Sequence, residues 1–275
     1  MGRCSTLAVL PVLSVSGLAC AVLPTVLFSA HTGGFGRVYR RELTEDLKGI
    51  LSHWQGIGLS FDAIYIGYVA NAAQLWLVEQ ALDGLMAEGA RLYVDPVMGD
   101  HGRAYQFLQE DLIAGFRSLC ARADLIFPNL TEAALLLGRE LKPGVEPDPP
   151  GAGELLELGV QASLITGIEN GRGGIGVLAE SKDSSVYSTF RHRYPGTFPG
   201  TGDLLASCVI SALHRGATLE NACNIACDFL DDTLRMTVGS HAETRHGLIF
   251  EPGLGRLAQA LDSASVKKNI GMETC

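Results

Sequence analysis

The sequence predicts an α/β fold in which a mainly parallel sheet is covered by helices on both faces. Two observations predict it. Short apolar runs ending in Gly or Pro alternate with longer amphipathic segments between residues 62 and 167. The polar residues capable of chemistry sit where those runs stop, which is where ligands bind in open α/β sheets.

Residues 4–30 are almost uncharged and follow Arg3, as a leader peptide would. Pro11 and Pro24 interrupt the run, however, and its basic region is one arginine. A secretory signal or a spanning helix of roughly 20 unbroken apolar residues therefore fits poorly. We read a buried helix followed by a buried strand at 22–28, and no membrane partner. DAIYIG (62–67) is a buried strand. Asn71 then caps a helix through Glu88, in which Leu75, Val78, Leu82 and Leu85 recur at helical spacing. ARLYVDP (90–96) is a strand stopped by Pro96, residues 109–119 a helix, 123–128 a strand, 130–137 a helix and 162–167 a strand. The order βαβαβα implies parallel pairing.

Residues 138–153, rich in Pro and Gly, form a surface loop. After Gly167 the pattern changes: 175–180 and 185–191 make hairpin strands, and Thr201 to Met236 is helical. From about Ser263 the tail lacks an amphipathic face and is expected to fray. No internal repeat is visible, and residues 1–275 are read as a single domain.

The 275 residues are 47% apolar and 19% charged, with a formal net charge of −9. That balance suits a globular chain with a full-sized core and argues against disorder. It also argues against a nucleic-acid partner. The seven cysteines are scattered and form no CxxC pair, so neither a zinc knuckle nor a disulfide framework is indicated. Cys223 and Cys227, one helical turn apart, read as small core residues.

Pro199-Gly200-Thr201-Gly202-Asp203 runs directly into the helical LLASCVISALHRG. Small residues at a helix N-terminus let backbone N–H groups approach an anion, and the helix dipole adds positive potential. Taken alone, Asp203 reads equally well as a favourable first-turn acid beside a tight turn. Asp95-Pro96-Val97-Met98-Gly99-Asp100 ends a strand. Its two acids are either a polar turn or groups that hold Mg²⁺ through water. Pro128-Asn129-Leu130-Thr131-Glu132 opens a helix, and Glu132 is either its capping acid or a group orienting a metal-bound water. His31-Thr32-Gly33-Gly34 offers a hydroxyl and flexible backbone to a substrate. Gly171-Arg172-Gly173-Gly174-Ile175-Gly176 satisfies GxGxxG, but a strand follows it rather than a helix, so it reads as a hairpin turn.

Together LPTVLFSAHTGG, FDAIYIGYV, YVDPVMGDHG, ADLIFPNLTEA, SLITG, GTGDLLAS and ETRHGLIFE resemble the pyridoxal kinase branch of the ribokinase-like family, over roughly residues 5–255. The resemblance implies a three-layer αβα sandwich, a cytoplasmic enzyme and a homodimer. It implies ATP-dependent phosphorylation of the hydroxymethyl group of pyridoxal, pyridoxamine or pyridoxine, with Mg²⁺ and a monovalent cation as candidate cofactors. Carried over by position, Asp203 is the catalytic base, and Gly200, Thr201 and Gly202 form the anion hole. Thr32 and Tyr68 line the substrate pocket. Asp95, Asp100 and Glu132 organise Mg²⁺, Asn129 lies near the phosphates and Thr166 lies on the ATP side. A loop over about 181–199 is expected to cover the site.

Two departures stand out. MGRCSTLAVLP is similar to the region just after the family's first strand, so the fold is expected to lack that strand, with a less complete ring pocket and lower stability than a chain extended upstream. Phe127 stands where many relatives carry Thr, so a hydroxyl near the phosphates is absent. The alternative functions are a hydroxymethylpyrimidine kinase of thiamine synthesis, a degenerate relative that binds vitamin without transferring phosphate, and an exported lipoprotein anchored through Cys20.

Overall fold

The computed structural model describes residues 2–270 apart from 107, 152 and 184. Its first half comprises α1 (Thr6–Val15), β1 (Val26–Phe28), β2 (Arg40–Glu42), α2 (Thr44–Gly56), β3 (Phe61–Ile66), α3 (Ala72–Leu85), β4 (Met86–Val94), β5 (Gly99–Asp100), β6 (Arg103–Ala104), α4 (Glu110–Ala121), β7 (Leu125–Ile126) and α5 (Leu130–Leu136). Then come β8 (Ala162–Glu169), β9 (Gly174–Ser181), β10 (Val186–His192), α6 (Thr201–His214), α7 (Leu219–Gly239) and α8 (Leu254–Ile270).

The central sheet has six strands in the order β10-β9-β8-β7-β4-β3. β3, β4, β7 and β8 are parallel, and the β8-β9-β10 end is antiparallel. Alternation along the strands builds two cores, because successive side chains point to opposite faces. Tyr93, Leu125, Phe127 and Leu164 pack with buried residues of α1, α6, α7 and α8. Leu92, Val94, Ile126 and Ile165 pack with those of α2, α3, α4 and α5. The result is the helix–sheet–helix sandwich that the sequence predicts, with the hairpin predicted after Gly167 closing one end.

Several elements differ from expectation. Residues 22–28 do not supply a buried sheet strand: only Val26–Phe28 is extended, and it pairs with β2 in a separate two-stranded ribbon. Pro24, lacking an N–H, interrupts the segment, and Leu43 N–H anchors the ribbon's start by donating to Thr25 O at 3.0 Å. α2 has no counterpart in the sequence reading; it buries Leu47 and Leu51, with Trp54 packed against the same core. α3 stops at Leu85 rather than Glu88, because Met86 pairs with Phe61 across the sheet. The tail predicted to fray is instead helical to Ile270, anchored by the buried Leu257 and Leu261; its last residues, 271–275, lie outside the described residues. Asn71 caps α3 as expected, accepting from Gln74 N–H at 3.0 Å. Cys223 and Cys227 are core residues. No helix among the described residues is long and apolar enough to cross a membrane.

Candidate active site

The parallel strands bring their carboxyl ends to one edge of the sheet, and the predicted site residues follow them. Ladder bonds continue past the strands and fix the loops: Asp95 N–H donates to Ile66 O at 2.8 Å, and Thr166 N–H to Pro128 O at 2.9 Å. Thr32, Tyr68, Asp95, Asp100, Asn129, Glu132, Thr166, Thr201, Gly202 and Asp203 all line one cavity of about 2560 Å³. Gly200, also predicted to form the anion hole, is not among the residues that line it.

Gly200 is there because its backbone is left-handed, with φ 91°, and because a Cβ would come within 2.2 Å of Arg3 O. It is the N-cap of α6, and no side chain caps that helix. A Cβ at Gly202, by contrast, would meet nothing within 4 Å. Asp203 sits in the first turn, half-buried, and its Oδ2 accepts from Ser5 N–H at 2.7 Å. Burial pushes its carboxyl up, and the Ser5 N–H pulls it partly back.

The residues that press on this turn are ones the sequence reading did not single out. Arg3 N–H donates to His246 O at 3.0 Å and its backbone bridges Gly247. This holds the segment from Gly2 to Ser5 across the start of α6. Ser5 has φ 50° and ψ −135°, a conformation that favours glycine. Nothing local in the sequence signals a contact between residues so far apart.

The start of α5 is arranged differently. Asn129 Oδ1 accepts from Glu132 N–H at 2.9 Å, and Glu132 Oε2 accepts from Asn129 N–H at 2.9 Å, a reciprocal capping box. Glu132 Oε1 accepts from Met98 N–H at 3.1 Å, and Asn129 Nδ2 donates to Gly99 O at 2.8 Å. Both oxygens of Glu132 are therefore engaged with backbone, and so are both polar atoms of the Asn129 amide. The sequence offers Glu132 as capping acid or metal organiser; the observed bonds are those of a cap. Burial and the Asp95 charge raise its carboxyl, against the two N–H groups.

Asp95 is 9% exposed, and Tyr65 Oη donates to its Oδ2 at 3.1 Å. Burial first and the Asp203 charge second push its carboxyl up to about 7, while the Tyr65 bond works the other way. Asp100 is exposed, and its Oδ1 accepts from His101 N–H at 2.9 Å. Among the described residues no group of three or more His, Cys, Asp or Glu comes together to hold a metal ion. The donor set nevertheless fits Mg²⁺, which keeps much of its water and binds through one or two carboxylates plus substrate phosphates. Asp95, with one oxygen not engaged, fits that description best.

On one flank the His31 loop is tied down: His31 Nε2 bonds Arg245 O, the Phe35 ring meets His246 edge-on at 5.4 Å, and Arg245 lies over Phe35. There Thr25 Oγ1 donates to the Tyr68 carbonyl at 2.9 Å. On the other flank Thr166, Gly167, Val177, Leu230 and Leu234 form a largely apolar wall. The loop expected to cover the site is shorter than 181–199. β10 takes residues 186–192, because it pairs with β9 throughout, and the cavity is bordered by Arg193, Tyr194, Gly196, Thr197 and Phe198. The GxGxxG segment is a hairpin turn closed by Asn170, whose Oδ1 accepts from Arg172 and Gly174 N–H, both at 2.9 Å.

Comparison with known proteins bears on this geometry. The family model described as phosphomethylpyrimidine kinase matches residues 43–248. The pyridoxal kinase of Ovis aries is 28% identical over 94% of this chain and 88% of its own length. That of Sus scrofa is 30% identical over 82% of this chain and 76% of its own length. The crystal structure of pyridoxal kinase from Lactobacillus plantarum superposes with a TM-score of 0.84 at 32% identity, covering 95% of this chain and 92% of the other.

Proposed function

This chain belongs to the phosphomethylpyrimidine kinase family, and from that premise we propose that it transfers the γ-phosphoryl group of ATP to the hydroxymethyl group of pyridoxal, pyridoxamine or pyridoxine. The observation that carries the reading is the Asp203 carboxylate. It lies in the cavity wall at the start of an uncapped helix, with one oxygen held by Ser5 N–H and the other available.

In this reading residues 1–275 act as one kinase domain. The apolar wall around Val177 and Leu234 receives the nucleotide, with Thr166 at its edge, and Thr32 and Tyr68 border the vitamin ring. Asp203 accepts the hydroxymethyl proton as that oxygen attacks the γ-phosphorus, and ADP leaves. Thr201 and Gly202 present first-turn N–H groups to the transferred phosphoryl, whose oxygens gain negative charge that the helix dipole favours. Gly200 shapes this turn. Asp95 would hold the Mg²⁺ that accompanies ATP, Asp100 would help order its waters, and the bound cation would neutralise phosphate charge. Glu132 and Asn129 support the reaction by fixing the turn that carries Met98 and Gly99.

The family model's own description favours a second reading, phosphorylation of a hydroxymethylpyrimidine. An ATP-dependent assay over pyridoxal, pyridoxamine, pyridoxine and hydroxymethylpyrimidine separates the two. We expect the highest kcat/KM on a B6 vitamer. Turnover confined to the pyrimidine replaces the first reading with the second, and ATP binding without turnover on any substrate leaves a binding protein.

A further inference from the structure

Tyr65 has no assigned part in the reaction so far, yet it touches the carboxylate on which the cation depends. It lies on β3, the strand next to β4, in register with Tyr93, so its ring stands beside the end of β4 where Asp95 emerges. The phenol donates to Asp95 Oδ2 at 3.1 Å, and among the described residues no other donor reaches that carboxylate. The ring meets Phe127 edge-on, with centroids 6.4 Å apart and planes at 89°, and Phe127 is itself 3% exposed. A buried aromatic therefore fixes the direction in which the hydroxyl points. Tyr65 is not sealed in the core: it is half-buried and lines the cavity with Asp95, Asp203 and Glu132.

The chemistry of the donor matters here. A lysine or arginine in the same place would also orient Asp95, but its positive charge would neutralise the carboxylate and repel a cation. A phenol supplies the hydrogen bond without the charge. A phenol ordinarily keeps its proton at neutral pH, so it remains a donor. Its bond occupies Oδ2 and leaves Oδ1 for a ligand.

We propose that Tyr65 is a positioning residue for this phosphotransferase, its hydroxyl holding the Asp95 carboxylate in the orientation that binds the divalent cation brought in with ATP. The inference rests on the kinase reading above. Partners of this kind, one bond removed from a metal, are worth about 10- to 100-fold in metal affinity.

The test uses Mn²⁺ as the probe, titrated by electron paramagnetic resonance into the full chain with saturating ATP. Tyr65→Phe keeps the ring against Phe127 and removes only the hydroxyl. We expect it to weaken Mn²⁺ binding about 10-fold or more, with ATP binding in EDTA unchanged. Phe127→Leu, which keeps the hydroxyl and loses the ring that aims it, is expected to weaken Mn²⁺ binding less and to lower the thermal midpoint. Equal Mn²⁺ affinity in wild type and Tyr65→Phe overturns the proposal and leaves the kinase reading standing. A Tyr65→Phe protein that also loses ATP binding in EDTA shows a structural role and overturns it too. If the wild type binds no Mn²⁺ in the presence of ATP, the kinase reading fails along with it.

Discussion

The starts of α5 and α6 face the same cavity, and each carries a buried or half-buried acid in its first turn, Glu132 in one and Asp203 in the other. At α5 the acid and the cap satisfy each other, and the spare oxygen of Glu132 goes to Met98 N–H. At α6 the cap is a glycine without a side chain, and the acid reaches no group of its own helix. Two helix N-termini thus divide into one whose acid has both oxygens engaged by backbone and one whose acid has a single oxygen engaged. In the proposed mechanism, what separates the supporting acid from the catalytic one is whether an oxygen is left over.

The sharpest way to break this contrast is to neutralise each acid with its isosteric amide. Asp203→Asn is expected to lower kcat by about 10²–10⁴ while leaving ATP affinity nearly unchanged, because the shape survives and the proton acceptor does not. Glu132→Gln is expected to spare most of the chemistry and to cost stability instead. The new amide NH₂ faces Met98 or Asn129 N–H, leaving a buried donor opposed, a loss of about 1–3 kcal/mol. Kinetics and urea unfolding on both variants decide it. If Glu132→Gln lost as much turnover as Asp203→Asn at unchanged stability, the division would collapse.

Asp95 adds a third acid with a conflict of its own. Its folded pKa of about 7 lies above the usual carboxylate value, so the native state binds that proton more tightly than the unfolded chain does. Its unfavourable contribution is therefore absent at pH below about 4, grows as pH rises and is complete above about 7. Asp95→Asn removes a charge that is costly when buried. It is expected to be more stable than wild type by on the order of a few kcal/mol at pH 8, with the gap narrowing toward pH 5, and to be much less active. Urea midpoints across that range check it; a gap that does not change with pH would mean Asp95 is not held against its charge.

Within the α6 turn the two glycines are predicted to fail in opposite ways. Gly200→Ala places a Cβ 2.2 Å from Arg3 O at φ 91°, and should cost roughly 1–3 kcal/mol of stability by displacing the segment from Gly2 to Ser5. A Cβ at Gly202 meets nothing within 4 Å, so Gly202→Val should fold, yet lose turnover because its side chain intrudes where backbone must approach phosphate. Thermal midpoints and turnover measured together separate the two; a fully active Gly202→Val protein would make the turn purely structural.

What was readable in the sequence follows the range of the interactions involved. The strand at DAIYI, the Asn71 cap and the helix after Gly202 each depend on neighbours a few residues away, and all three are present. Helix α2 was passed over although Leu47, Ile50, Leu51 and Trp54 recur at helical spacing, and β1 was hidden because a run of apolar residues says nothing about which partner it will find. Every motif at a strand end reached the cavity, since topology alone puts strand ends together. The bonds that distinguish those motifs from one another are long-range: Ser5 to Asp203, Met98 to Glu132, Tyr65 to Asp95. None of them leaves a local pattern to read.

The smallest expected effect tests how the spare capacity of Asp203 is maintained. Ser5 is held at φ 50° and ψ −135° while its N–H points at Asp203 Oδ2. A residue with a Cβ is strained there, and strain of this kind persists only where the surroundings enforce it. Ser5→Gly keeps the N–H and removes the strain, at the cost of a more flexible unfolded chain. The net gain should be about 1 kcal/mol, with turnover unchanged. Ser5→Ala keeps the strain and should gain nothing, which separates backbone relief from loss of the hydroxyl. The decisive comparison is the same pair of substitutions in an Asp203→Ala background. With no carboxylate to accept its N–H, the segment is free to relax, so the advantage of glycine should shrink. Non-additivity of this sort is what residues in direct contact show. If Ser5→Gly stabilises both backgrounds equally, the strain is imposed by Arg3 and its bonds to His246 and Gly247, and Asp203 merely accepts a bond that was already in place.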